Sequence, residues 1–174
     1  METKQNSTGT IARLRFLLAA GCILSGWLAG GNVDRYIVEF PSWQHAGVLS
    51  WAAYSRHADL GNGVFFYPFE AIGSFILLLA CSLIVMKKQA LLGRIVLPVH
   101  FATIFSIAGL VLTFFAAPVM LGLKTIGDDT GLLQQAFHKF YFWSFYRAIA
   151  QVLSFFFCVW AMKKGFFASA STVQ

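Results

Sequence analysis

The chain is predicted to fold as an all-α, integral membrane four-helix bundle, and three observations predict it. Of its 174 residues, 58% are hydrophobic and only 11% charged, with a mean hydropathy of +0.69, a balance outside that of soluble domains. The apolar residues fall into four blocks, each near the roughly 20 residues a helix needs to cross the hydrocarbon core. Lys and Arg gather at the ends of these blocks that share one side, as expected when cations are retained on the cytoplasmic face.

The spans are placed at residues 14–31, 69–86, 95–121 and 140–162, within a single membrane domain covering residues 1–174. Lys4, Arg13 and Arg15 precede the first span; its long apolar run lacks a small-x-small exit, which predicts an uncleaved signal-anchor. Lys87, Lys88 and Arg94 fill the turn between the second and third spans, and Lys163 and Lys164 follow the fourth. The other side carries Arg35, Arg56, Lys124 and Lys139 with six acids: Asp34, Glu39, Asp59, Glu70, Asp128 and Asp129. Both termini are therefore predicted cytoplasmic. The net charge of +6 is a topology signal; the lipid bilayer is the predicted partner, and no nucleic acid is expected. Cys22, Cys81 and Cys158 all fall inside spans, where they act as small apolar residues.

Residues 32–68 form a long extracytoplasmic loop between the first two spans. Trp43, Gly47, Trp51 and Tyr54 recur there at helical spacing with no Pro from Ser42 to His57, which predicts a short amphipathic helix entered after Phe40 and Pro41 and ended before the GNG turn at 61–63. Its aromatic side suits the membrane interface, either as an anchor or as a lid over the bundle.

In the fourth span Ser144, Arg147, Gln151, Ser154 and Cys158 follow at alternating steps of three and four, one polar face that must look into the bundle. The third span offers Ala102, Ser106, Gly109, Thr113 and Ala116 at the same spacing. The first offers Ala19, Cys22, Gly26 and Ala29, with Gly26 and Gly30 in a GxxxG. Glu70 and Arg147 enter at similar depth from the same side, so they are expected to pair, either to fix helix register or to build an anion or carbonyl site. His57, with Asp59 and Glu70 near it, has the composition of a general base and its orienting acid. No Glu-x-x-His exists and no two histidines sit level on facing helices, so neither a metal nor haem is expected, and no cofactor is predicted.

LAGGNVDRYIVEFPSW (28–43), WAAYSRHADLGNGVFFYPFEAIGS (51–74), Pro118 at the end of the third span and FYFWSFYR (140–147) together resemble the DUF1772 family of small four-span membrane proteins. Some members are anthrone oxygenases, which oxidise polyketide anthrones with dioxygen and no known bound cofactor. Trp143, Arg147 and Pro118 match family positions, whereas Val119 and Met120 stand where the oxygenase-like members carry an Asn beside that Pro.

Two classes of function follow. One is a membrane protein that binds a lipophilic small molecule or serves as a homo-oligomer or partner subunit of a membrane complex. The other, implied by the resemblance, is a cofactor-independent oxygenase acting on an aromatic substrate. In the enzymic reading His57 or Glu70 removes a proton and Arg147 stabilises the resulting anion. In either, Trp51, Tyr54, Asp59, Trp143 and Gln151 are the expected ligand contacts, in the half of the bundle roofed by the 42–57 helix.

Overall fold

The computed structural model describes residues 2–167, with side chains from 9 to 89 and from 92 to 165; the Lys4 side chain lies outside these. Every described element is helical. Helix α1 (Glu2–Asp34) runs through a π-helical turn (Arg35–Glu39) into α2 (Phe40–Ala46); α3 (Val48–His57) runs through a second π-helical turn (Ala58–Asn62) into α4 (Gly63–Lys87); α5 is Gln89–Ile126 and α6 is Thr130–Phe167. Four stretches are long and apolar enough to cross a membrane: Gly9–Ala46, Val48–Lys87, Leu92–Ile126 and Thr130–Gly165.

The long loop expected at 32–68 is thus not a loop. Helix continues from the first span as far as Ala46, reverses at Gly47, and runs back into the second through a kink at Gly61 (φ -87°, ψ -113°), where the GNG turn is expected. Gly47 has φ 87°, a value that costs any residue with a Cβ and is open to glycine. The single amphipathic helix expected over 42–57 is accordingly broken in two at that residue. Sequence periodicity could not show the break, since one glycine at helical spacing looks the same whether its φ is negative or positive.

Helix length explains why the extra turns are needed. At 1.5 Å per residue, α5 and α6, with 38 residues each, extend roughly 57 Å, almost twice the ~30 Å hydrocarbon core. The surplus projects at the end opposite the termini. There α2 and α3 fold over it and bury Phe40, Trp43 and Trp51 against Leu123, Leu133, Phe137 and Phe140. Burying such rings stabilises by about 2 to 3 kcal/mol each. Of the aromatic residues expected to anchor or roof the bundle, Trp43 and Trp51 are core residues of a helical cap, and Tyr54 stays exposed.

In cross-section α1 neighbours α4 and α6, and α5 neighbours the same two. Helices α4 and α6 therefore face each other across one diagonal, and α1 and α5 across the other. Near the termini, Leu14, Leu18, Cys22, Leu78, Cys81, Val85, Ile95, Val99, Ala102, Cys158 and Ala161 make a continuous apolar core. Thr103 ties that end together by donating to the carbonyl of Leu78 on α4 (3.1 Å), and Ser154 donates to that of Ala102 on α5 (2.8 Å).

The small-residue faces read from sequence do pack inward, but unequally. A Cβ on Gly26 would stand 2.8 Å from the Phe155 ring, whereas one on Gly30 would meet nothing within 4 Å. The GxxxG therefore has one tight member. Gly26→Leu is predicted to destabilise by about 2 kcal/mol through overpacking, and Gly30→Ala to be neutral or slightly stabilising. Thermal unfolding in detergent reads both; equal effects would contradict the α1–α6 packing.

Candidate functional site

Between the apolar core at the terminal end and the aromatic core of the cap lies a layer of buried polar side chains contributed by all four long helices. Ser25 comes from α1, Glu70 and Ser74 from α4, Ser106 from α5, and Ser144, Gln151 and Ser154 from α6. Each is placed by spacing along its helix: Glu70 and Ser74 are four apart, and Ser144, Arg147, Gln151 and Ser154 alternate by three and four, so each set lies on one face. Gly109 on α5 leaves room for Gln151, whose Cγ would lie 3.1 Å from an added Cβ. The layer borders a partly open cavity of about 10 Å³, lined by Ser25, Ser74, Ser106, Gln151 and Ser154 with Leu28, Ala71 and Leu110. That is room for about one water molecule.

Several polar atoms of this layer have no partner in the protein. Glu70 Oε1, Ser144 Oγ, Arg147 Nε and Gln151 Oε1 are all buried without a hydrogen bond. Glu70 is 3% exposed and Gln151 5%. A polar group kept from water without a hydrogen bond costs on the order of 1 to 3 kcal/mol, so four such atoms within one layer mark it as the candidate site for a polar guest.

Above the layer a charged clasp closes the cap. Arg35, first residue of the π turn after α1, donates from Nε to Glu39 Oε2 (3.0 Å) and from Nη2 to Asp59 Oδ1 (2.7 Å) and the Tyr67 hydroxyl (3.0 Å). Tyr67 also donates to Asp59 Oδ1 (3.2 Å), and Tyr54 to Glu39 Oε1 (3.4 Å). The two π turns thus meet through Arg35 and Asp59. The first inserts a residue into its helix, a device that reorients side chains, and the second carries a kink at Gly61. The Phe140 ring joins the clasp to the layer: the guanidinium carbons of Arg35 and of Arg147 each lie 5.9 Å from its centroid.

The expected ion pair between Glu70 and Arg147 is not made. The ion pairs in this half of the bundle are Arg35–Glu39, Arg35–Asp59 and Arg56–Asp128, among the described residues. The two residues stand on α4 and α6, which lie on a diagonal of the bundle and not side by side. His57 is also not oriented by Asp59. It stands exposed at the end of α3, while Asp59 is occupied by Arg35 and Tyr67.

The other expected contacts are divided. Gln151 lines the cavity. Trp51 is fully buried in the cap against Phe137 (5.1 Å between centroids), its indole nitrogen without a partner. Tyr54 is held by Glu39 and Trp43 on the outside of the cap, and Trp143 stacks on Phe115 at 4.7 Å. Arg56 is structural, since it donates to the carbonyls of Leu123 and Gly127 and to Asp128 and so satisfies the C-terminal end of α5.

Sequence reasoning left Arg35, Tyr67, Ser25 and Ser74 out of the site. Arg35 and Glu39 are four apart, and that local pair was open to reading; the partnership with Asp59 depends on the reversal at Gly47. Comparison with protein-family models, with curated proteins and with solved structures returns no match.

The clasp and the layer predict opposite sensitivities. Asp59→Ala removes one of the two carboxylates that hold Arg35, leaving Glu39, and is predicted to cost about 2 kcal/mol. Glu70→Gln, which breaks no ion pair, should cost less than about 1 kcal/mol. Unfolding of the two variants in detergent measures the contrast; a larger loss for Glu70→Gln would mean that Glu70 has a protein partner.

Proposed function

We propose that this membrane protein binds a lipophilic small molecule whose polar head enters the layer beneath the cap and whose apolar part lies among the helices or in lipid. The supporting observation is the set of unpartnered buried atoms on Glu70, Ser144, Arg147 and Gln151. A register-fixing network would satisfy its members against one another, and these remain unpartnered within a common layer. Arg147 is the chief donor: its guanidinium keeps its charge, presents a rigid fork, and has no ion pair of its own. The apolar core near the termini closes the layer from that end, so a guest reaches it from the cap side or laterally from the bilayer.

Native mass spectrometry of gently solubilised protein tests this reading. The wild type is expected to carry a retained small molecule or to take one up, and Arg147→Gln to lose at least tenfold in occupancy while its unfolding transition moves little. Occupancy unchanged by Arg147→Gln would remove the site.

From the basic flanks we propose that the termini lie in the cytoplasm and the cap outside it. Single cysteines at the exposed positions Gln44 and Gln89 report this, since the native cysteines are buried. An impermeant maleimide is expected to label Gln44→Cys in intact cells and Gln89→Cys only after permeabilisation; the reverse pattern would invert the topology.

A further inference from the structure

The polar groups around the cavity are mostly hydrogen-bond acceptors. Three of its serines have committed their protons: Ser25 donates to the carbonyl of Cys22 (3.2 Å), Ser74 to that of Ala71 (3.0 Å) and Ser154 to that of Ala102 (2.8 Å). A carbonyl can only accept, so each of these hydroxyls uses its single O–H there and keeps only lone pairs for anything else. Gln151 adds a fourth acceptor, since its Oε1 is buried without a partner, while its amide nitrogen lies beside Gly109, 3.6 Å from where a Cβ would stand. Of the five polar side chains lining the cavity, four therefore call for a donor. Ser106, the fifth, can donate as well as accept.

This lining decides what fits. The rest of it is apolar, Leu28, Ala71 and Leu110, and the space admits a group about the size of one water molecule. A carbonyl or ether oxygen would set lone pairs against lone pairs and leave Gln151 Oε1 unpartnered, the costly outcome for a buried acceptor. An ammonium would bring donors but also a charge that no lining residue neutralises. A hydroxyl donates to Gln151 Oε1 and accepts from Ser106 without bringing charge. Resting on the ligand-binding reading above, we infer that the cavity is the seat of an O–H group, and that the guest is a lipophilic alcohol whose hydroxyl occupies it. Gln151 follows Arg147 by four residues, so the hydroxyl lies about one helical turn from the guanidinium, which is left to any second polar atom of the guest. Water offers the same O–H without a chain, and the test separates the two.

Three uncharged probes of similar length are titrated separately into the full chain in detergent and read as bound mass by native mass spectrometry: 1-hexadecanol, which donates; 2-heptadecanone, which only accepts; and 1-fluorohexadecane, which cannot donate. Hexadecanol is expected to bind at least about tenfold more tightly than either of the others, because a site built around a hydroxyl discriminates against analogues that lack it. Gln151→Met, similar in length but without the amide, and Ala71→Val, which fills the cavity, should each abolish that preference, with thermal unfolding checking that the fold is kept. The preference in the wild type stands as a test without either variant. Heptadecanone binding as tightly as hexadecanol would overturn the donor requirement and leave the binding site standing, and so would a preference that survives Gln151→Met in a folded variant. Binding of none of the three would leave the cavity to water alone and overturn the inference; the binding reading is decided separately, by whether Arg147→Gln loses the molecule that the wild type retains.

Discussion

Hydrocarbon offers no hydrogen bond, and that constraint orders everything else in this molecule. Every polar side chain at membrane depth must turn inward, find protein, or find something the protein has admitted. Most comply in the first two ways: Thr103 and Ser154 reach carbonyls on neighbouring helices, and Ser74 returns to its own helix at Ala71. Glu70, Ser144, Arg147 and Gln151 each keep an unpartnered buried atom in the polar layer between the two apolar cores, as Trp51, Ser55 and Asp59 do in the cap.

The cap supplies what the bundle alone lacks. Without α2 and α3, the projecting ends of α5 and α6 would expose Leu123, Leu133, Phe137 and Phe140; with them, these residues are buried under Phe40 and Trp51. The clasp between the two π turns then ties the cap to the start of α4 through Asp59 and Tyr67. Arg35 spends its charge on this architecture, and Arg147, one ring away, does not. Two arginines at nearly the same place therefore have different work, one structural and one available.

What was legible in the sequence was whatever repeats locally. Hydropathy blocks found the four spans, and alternating steps of three and four placed Ser144, Gln151, Ser154 and Cys158 on an inward face, where they are indeed buried. Depth was also legible, because it follows from counting residues. Adjacency across the bundle was not: which helices are diagonal is decided by packing of the whole, and Glu70 and Arg147, alike in depth by residue count, stand on helices that are not neighbours and form no ion pair. The helical run through 32–62 was hidden for a related reason. Its charged and polar residues, set between the apolar spans, read as a loop until the projecting aromatic surface of α5 and α6 is there to receive it, and the reversal at Gly47 that brings Asp59 to Arg35 leaves no periodic trace.

Whether the polar layer holds something other than protein, contacted by Arg147, is tested most directly by a high-resolution structure of the protein in a lipid nanodisc. Non-protein density is expected within hydrogen-bond distance of the Arg147 guanidinium, extending toward Gln151 and Glu70, with the apolar core near the termini closed. Arg147 turned out to the lipid headgroups, with Ser144, Gln151 and Glu70 bonded to one another across a solid core, would contradict it.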